Sequence, residues 1–116
     1  MTSPTLFHNP QCSKSRQALA LLRERGIEPD LVLYLDTPPS AAELDLLLRQ
    51  LNLSPRELMR RDEPAYRALG LDDPALDRDA LIEALAAHPR LIQRPILVAG
   101  GRAAIGRPPE AILEIL

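Results

Sequence analysis

One cysteine in 116 residues, Cys12, leaves the chain unable to close a disulfide within itself. It lacks an apolar span of about 18 residues that could cross a bilayer, and it lacks an N-terminal apolar region of the kind that opens a secretory leader. Neither membrane insertion nor export is expected, and the cytoplasm is the expected compartment. An excess of charge of one sign is also missing: 14 Lys and Arg face 16 Asp and Glu, for a net charge of −2 and a pI near 5.6. Such a balance supplies no broad basic field for nucleic acid or an anionic membrane, so any anion site must be local. One cysteine and two histidines at this spacing form no recognisable ligand set, and no metal is expected.

What is present fits one domain over residues 1–116, a size that buries roughly two-thirds of the surface its unfolded chain exposes. Twelve prolines punctuate the chain at segment junctions rather than in a low-complexity run. Pro4 to His8 reads as a short strand stopped by Asn9-Pro10. From Ser13 to Arg25, the apolar residues Ala18, Leu19, Leu21 and Leu22 make one helical face, with Gly26 at the C′ position. Leu31-Val32-Leu33-Tyr34-Leu35 has the continuous apolar character of a strand covered on both faces, ended by Asp36-Thr37-Pro38-Pro39. Strand, helix, strand is a βαβ opening.

The middle of the chain, about residues 40–89, reads as an all-helical insertion. Ser40 and Glu43 have capping-box spacing, followed by Leu44, Leu47, Leu48 and Leu51. Ser54-Pro55-Arg56-Glu57 repeats the device and predicts a short helix through Leu58, Met59 and Arg60. Ala65 to Leu69, stopped by Gly70, predicts another. Asp77 caps a fourth, with Leu81, Ile82 and Leu85 on one face, His88 at its C-terminal end and Pro89 at its exit. Ile96 to Ala99, Gly100-Gly101 and Arg102 to Ile105 then form a two-residue hairpin signal, because paired glycines permit the positive φ of a primed turn. Glu110 to Leu116 closes the chain as a helix with Ile112, Leu113 and Leu116 apolar. The order βαβ, helical insertion, ββα is that of a thioredoxin-like mixed sheet in an α/β fold.

Cys12 stands where the first strand's loop meets the first helix. Amides at a helix N-terminus lack intrahelical partners and the helix dipole is positive there, so a thiol at that point is favoured as thiolate, the form that attacks. A free cysteine with nothing around it is more often a small buried hydrophobe. Here His8, Lys14 and Arg16 supply charge or ionisable groups nearby, and the amides of the Asn9 to Ser13 loop are expected to form an anion nest. Arg16 itself reads as a first-turn helix residue, outside the site.

The run His8-Asn9-Pro10-Gln11-Cys12-Ser13-Lys14-Ser15-Arg16 resembles the H-N-P-x-C-x-x-S-R loop of the glutaredoxin-coupled arsenate reductases, the ArsC-like family with a thioredoxin-like fold. The likeness continues in order through Leu33-Tyr34-Leu35, Leu58-Met59-Arg60, Leu69-Gly70-Leu71, His88-Pro89, Arg94-Pro95-Ile96 and Arg107-Pro108. A C-x-x-S alone would also fit monothiol glutaredoxins. The resemblance implies Cys12 as the nucleophile toward arsenate, Arg60, Arg94 and Arg107 as oxyanion ligands, and His8 and Ser15 as residues that tune the thiol. Arg60 is chosen over Arg61 on the family match, and Pro95 sits where thioredoxin-like folds place a cis-proline beside the active-site loop.

By the same resemblance there is no tightly bound cofactor: glutathione is the co-substrate, and glutaredoxin is the reductant that releases arsenite. With a single cysteine, the thiol that resolves the adduct must come from outside the chain. Two other readings remain at this stage. A general glutathione-dependent thiol oxidoreductase would carry the same fold and cysteine. A regulator of the Spx type, which binds RNA polymerase, often carries C-x-x-C, whereas position 15 here is Ser15, and it lacks the His8-Asn9-Pro10 lead.

Overall fold

The computed structural model describes residues 4–116. The chain forms two compact units, one from Met1–Thr37 with Arg94–Leu116 and one from Pro38–Gln93.

The first unit carries the sheet. Strand β1 (Thr5–Phe7) lies between β2 (Asp30–Val32), parallel to it, and β3 (Ile96–Ala99), antiparallel to it; β4 (Arg102–Ile105) pairs antiparallel with β3. The resulting order, β2-β1-β3-β4, makes a thioredoxin-like mixed sheet. Helix α1 (Ser13–Glu24) joins β1 to β2, and its buried residues Ala18, Leu19 and Leu22 meet Leu6, Leu97 and Ile112 in one core. Leu6 and Leu97 are register partners on β1 and β3, so the pairing of the strands places both on the face that α1 covers. Burial of each such leucine contributes about 1.5–3 kcal/mol.

Local signals set the boundaries. α1 ends in a Schellman arrangement: Gly26, at φ 76°, donates to the Arg23 carbonyl at 3.0 Å, and Ile27 donates to the Leu22 carbonyl at 2.9 Å. Gly100 and Gly101, at φ 58° and 77°, turn the β3–β4 hairpin as the paired glycines imply.

Two expectations in this unit are corrected. The apolar run from Leu31 to Leu35 is not a strand covered on both faces. Pairing stops at Val32 because Asp36 and Thr37 both donate to the Leu33 carbonyl at 2.9 Å, which closes a turn. Position at the sheet edge leaves Leu31, Leu33 and Leu35 exposed, and Tyr34 alone of that turn is buried. The terminal segment is a 3-10 helix (Pro109–Ile115), with Ile112 buried and Leu116 exposed.

The second unit contains α2 (Ala41–Leu51), α3 (Pro55–Leu58), α4 (Pro64–Ala68) and α5 (Arg78–Ala87). Ser40 and Glu43 form the reciprocal capping box, and the Asp77 side chain accepts from Ala80 at 2.8 Å. α2 packs on α5 through Leu44, Leu47 and Leu48 against Leu81, Ile82 and Leu85. The insertion is not wholly helical. α3 ends at Leu58, and Met59 turns extended to form an antiparallel bridge with Ile92. Gln93 donates to the Leu58 carbonyl at 2.8 Å and Arg60 to the Leu91 carbonyl at 2.6 Å. Those long-range bonds and the burial of Met59 and Ile92 outweigh one further turn of a four-residue helix. No helix among the described residues is long and apolar enough to cross a membrane.

Back in the first unit, the peptides Arg94-Pro95 and Arg107-Pro108 are both cis. Gly106 donates to the Pro95 carbonyl at 2.8 Å, and a Cβ added to Gly106 would lie 2.8 Å from Pro95 Cγ and 3.2 Å from Ile112 Cγ2. Gly106→Ala is therefore expected to destabilise the protein by about 1–3 kcal/mol, the usual cost of overpacking a closed contact. Urea unfolding of the two proteins checks this, and an unchanged midpoint would show that the contact yields freely.

Candidate active site

The loop leaving β1 is closed by its own groups, with Asn9 at the centre. The Asn9 carbonyl accepts the Cys12 N–H at 2.9 Å, Asn9 Oδ1 accepts the Gln11 N–H at 3.0 Å, and the Asn9 N–H donates to Ser15 Oγ at 3.3 Å. Pro10 has no N–H, and its carbonyl accepts from Arg16 Nη1 at 2.9 Å. The expected nest of loop amides for an anion is therefore not what forms. An asparagine at this position folds the amides back onto itself, leaving at most that of Ser13 for a ligand.

Cys12 is the N-cap of α1, half-buried, with extended backbone at φ −91° and ψ 124°. Its sulfur makes no close capping hydrogen bond of the kind that Ser40 makes for α2. Burial opposes the thiolate and is the largest single influence on it. The Ser15 and Lys14 amides, which face the sulfur, and the charge and hydrogen bond of Arg94 together outweigh that penalty and hold the thiol below its ordinary value. Alkylation of the folded protein by iodoacetamide should accordingly titrate at lower pH than alkylation of the urea-unfolded chain. Coincident midpoints would contradict this account of the sulfur.

Arg94 approaches the sulfur from the β3 side of the same unit. It is half-buried, and its Nε is sealed from solvent without a hydrogen-bond partner. A sealed, unpaired donor costs about 1–3 kcal/mol, a cost that points to a position held for something other than stability. Arg107 is exposed, and its Nε donates to the Arg94 carbonyl at 2.9 Å. That bond fixes the main chain from which the Arg94 side chain departs. A polarised thiol with a guanidinium beside it is suited to nucleophilic attack on an anion or on a sulfur.

The ArsC family model matches residues 7–115. The chain belongs to the ArsC family. An arsenate reductase of Neisseria meningitidis (serogroup A) is 54% identical over 112 residues, covering 96% of each chain. The Escherichia coli K12 protein YfgD, whose name carries no activity, is also 54% identical over 112 residues, covering 96% of this chain and 94% of its own. Among solved structures, an arsenate reductase from Vibrio cholerae superposes with a TM-score of 0.97 at 52% identity, covering 98% of each chain.

Of the residues expected to serve an ArsC-family site, Cys12, His8, Ser15, Arg94 and Arg107 all lie in the first unit. Cys12 and Arg94 are in contact, and Arg107 reaches Arg94 through its carbonyl. Ser15 is fully buried; its amide faces the Cys12 sulfur, while its hydroxyl is occupied by Asn9. His8 is buried and makes no hydrogen bond to Cys12; its main chain donates to Val32 and its ring lines a cleft beside α1. Arg60 belongs to the second unit, where it pairs with Glu63 at 3.1 Å and donates to the Arg90 carbonyl at 3.4 Å.

Reading the sequence missed Asn9 as the organiser of the loop and Gly106 as the residue that lets Pro95 close in. An Asn-Pro pair that begins three residues before a helix-capping cysteine was a signal for the first. Nothing local signals the second.

Proposed function

We propose that this ArsC-family chain is an arsenate reductase in which the Cys12 thiolate attacks arsenate and glutathione with glutaredoxin completes the reduction. The observation that carries the reading is the Arg94 guanidinium beside a thiol already favoured as thiolate by helix amides. Arsenate near neutral pH carries one to two negative charges, so an approaching thiolate meets like charge, at a cost on the order of 4 kcal/mol per unit pair at about 4 Å and an effective dielectric near 20. Guanidinium groups answer that repulsion because they stay protonated and fork two N–H donors onto two oxygens. In this reading Arg94 and Arg107 bind the oxyanion, and Arg60 shares that role on the strength of its place in the family pattern. Ser15 tunes the thiol through its amide, and His8 shares that role on the strength of its place in the family pattern alone.

The steps balance as follows. Cys12 sulfur bonds to arsenic and an arsenate oxygen leaves as water or hydroxide, with arsenic still at As(V). Glutathione then adds through its sulfur, displacing a second oxygen. A glutaredoxin thiolate attacks the glutathione sulfur, the sulfur–arsenic electron pair passes to arsenic, and As(III) leaves Cys12 as arsenite on hydrolysis. The two electrons come from two external thiols, so no resident cofactor is needed, and the cytoplasm supplies both donors.

The test is arsenite formation from arsenate with glutathione and glutaredoxin supplied separately and together. Turnover is expected only with both. Absent turnover, with thiol-transfer activity intact, would reassign the protein as a general glutathione-dependent thiol oxidoreductase.

A further inference from the structure

We propose that a cleft along α1 seats the amino-acid head group of the small peptide thiol that resolves the Cys12 adduct. The inference deepens the proposed function and rests on it. The cleft is open, with a volume of about 670 Å³, within the range of small-molecule sites. Arg16, Leu19, Ala20 and Arg23 follow one another along its α1 wall at helical spacing, and His8 and Pro10 close it from the loop.

Its polar groups have a definite pattern. His8 is 5% exposed, and its Nδ1 is sealed without a partner. Burial first, and then the charges of Arg23 and Arg16, hold its protonation below the ordinary histidine value, so near neutral pH the ring is neutral and carries one N–H. A sealed acceptor without a partner is tolerated better than a sealed N–H. The proton therefore belongs on Nε2, the nitrogen that is not sealed, and the cleft gains a donor. Arg16 spends Nη1 on the Pro10 carbonyl, Arg23 spends Nε and Nη2 on Glu28 at 3.0 and 2.9 Å, and each keeps further N–H groups. Glu24 is the one acid among the lining residues.

Three donors, one acid and the aliphatic surface of Leu19 and Ala20 complement a carboxylate, an ammonium and the short methylene chain between them. That is the head of an α-amino acid, free or as the glutamyl end of glutathione. Reach favours the peptide. Pro10 is two residues from Cys12, so their Cα atoms are at most about 7 Å apart, and a tripeptide spans about 10 Å. Arg23 and Glu24 stand eleven and twelve residues from Cys12 along α1, about 16–18 Å at 1.5 Å per residue, so the thiol reaches the Cys12 sulfur only when extended along the cleft with the Glu24 side chain meeting its head. There its sulfur bonds to arsenic, and an arsenic-bound hydroxide leaves with the thiol proton as water, without change of oxidation state.

The test is a nuclear magnetic resonance titration of the full-length protein with S-methylglutathione, which cannot react with Cys12, and separately with free glutamate. The inference expects saturable shifts at Ala20, Arg23, Glu24 and the His8 ring with S-methylglutathione, and binding weakened about two- to fivefold by Arg23→Gln, the scale of an exposed charge contact. In steady-state assays the same variant should raise KM for glutathione with KM for arsenate unchanged. Tighter binding of free glutamate than of S-methylglutathione at the same resonances would overturn it in favour of a free amino acid. Absence of shifts in the cleft would also overturn it while glutathione-dependent turnover stood. Loss of that dependence in the wild type would instead overturn the proposed function.

Discussion

Cys12→Ser is expected to lower arsenite formation on the order of a thousandfold or more, because a hydroxyl at the α1 N-cap remains protonated where the thiol ionises. The assay with glutathione and glutaredoxin checks this, and retained turnover would remove Cys12 from the chemistry. Thermal stability supplies a second readout with a definite sign. The folded thiol releases its proton at lower pH than the unfolded one. Between the two values the unfolded state holds more protons, so stability rises with pH across that window and is flat on either side. The contribution is present above the ordinary thiol value and is lost as pH falls through the folded one. Serine has no such titration, so the stability of the variant should lack this rise; parallel profiles for the two proteins would contradict the sulfur's depressed value.

Arg94→Ala ranks next. Removal of a preorganised donor from a developing charge typically costs about 10²–10³ in kcat, and Arg94 also acts on the nucleophile itself. The expected result combines a loss of that order in arsenate turnover with a shift of the alkylation midpoint to higher pH. Arg94→Lys should restore part of the midpoint, since a point charge still favours the thiolate, but less of the turnover, since an ammonium does not fork onto two oxygens. An Arg94→Ala protein with the wild-type midpoint would show that the helix amides alone set the thiol.

Elements governed by short-range chemistry were legible in the residues. Gly26 ended α1, Gly100-Gly101 turned the hairpin, and Ser40 with Glu43 opened α2, because each signal acts over four residues or fewer. Failures came where distant chain decided the outcome. Leu31 to Leu35 had the composition of a buried strand, yet its place at the sheet edge and the turn on Leu33 left three leucines in solvent. Met59 followed a capping box and a proline, but pairing with Ile92, more than thirty residues on, drew it out of the helix. The site divides in the same way. Cys12 was marked by its position at a helix start and Arg94 by the family pattern, whereas the bond from Arg107 to the Arg94 carbonyl joins residues 13 apart and leaves no local trace.

The self-bonded loop from Asn9 to Ser15 also bears on what limits the rate of the cycle. Fixing a residue's backbone costs about 1–2 kcal/mol in conformational entropy, and the Asn9 carbonyl, the Asn9 side chain and the Ser15 hydroxyl hold this segment in the folded chain before any ligand arrives. That ordering is settled once, when the protein folds, and is not repeated with each turnover. Closure of the cysteine's own loop is thereby removed from the steps that compete to set the rate.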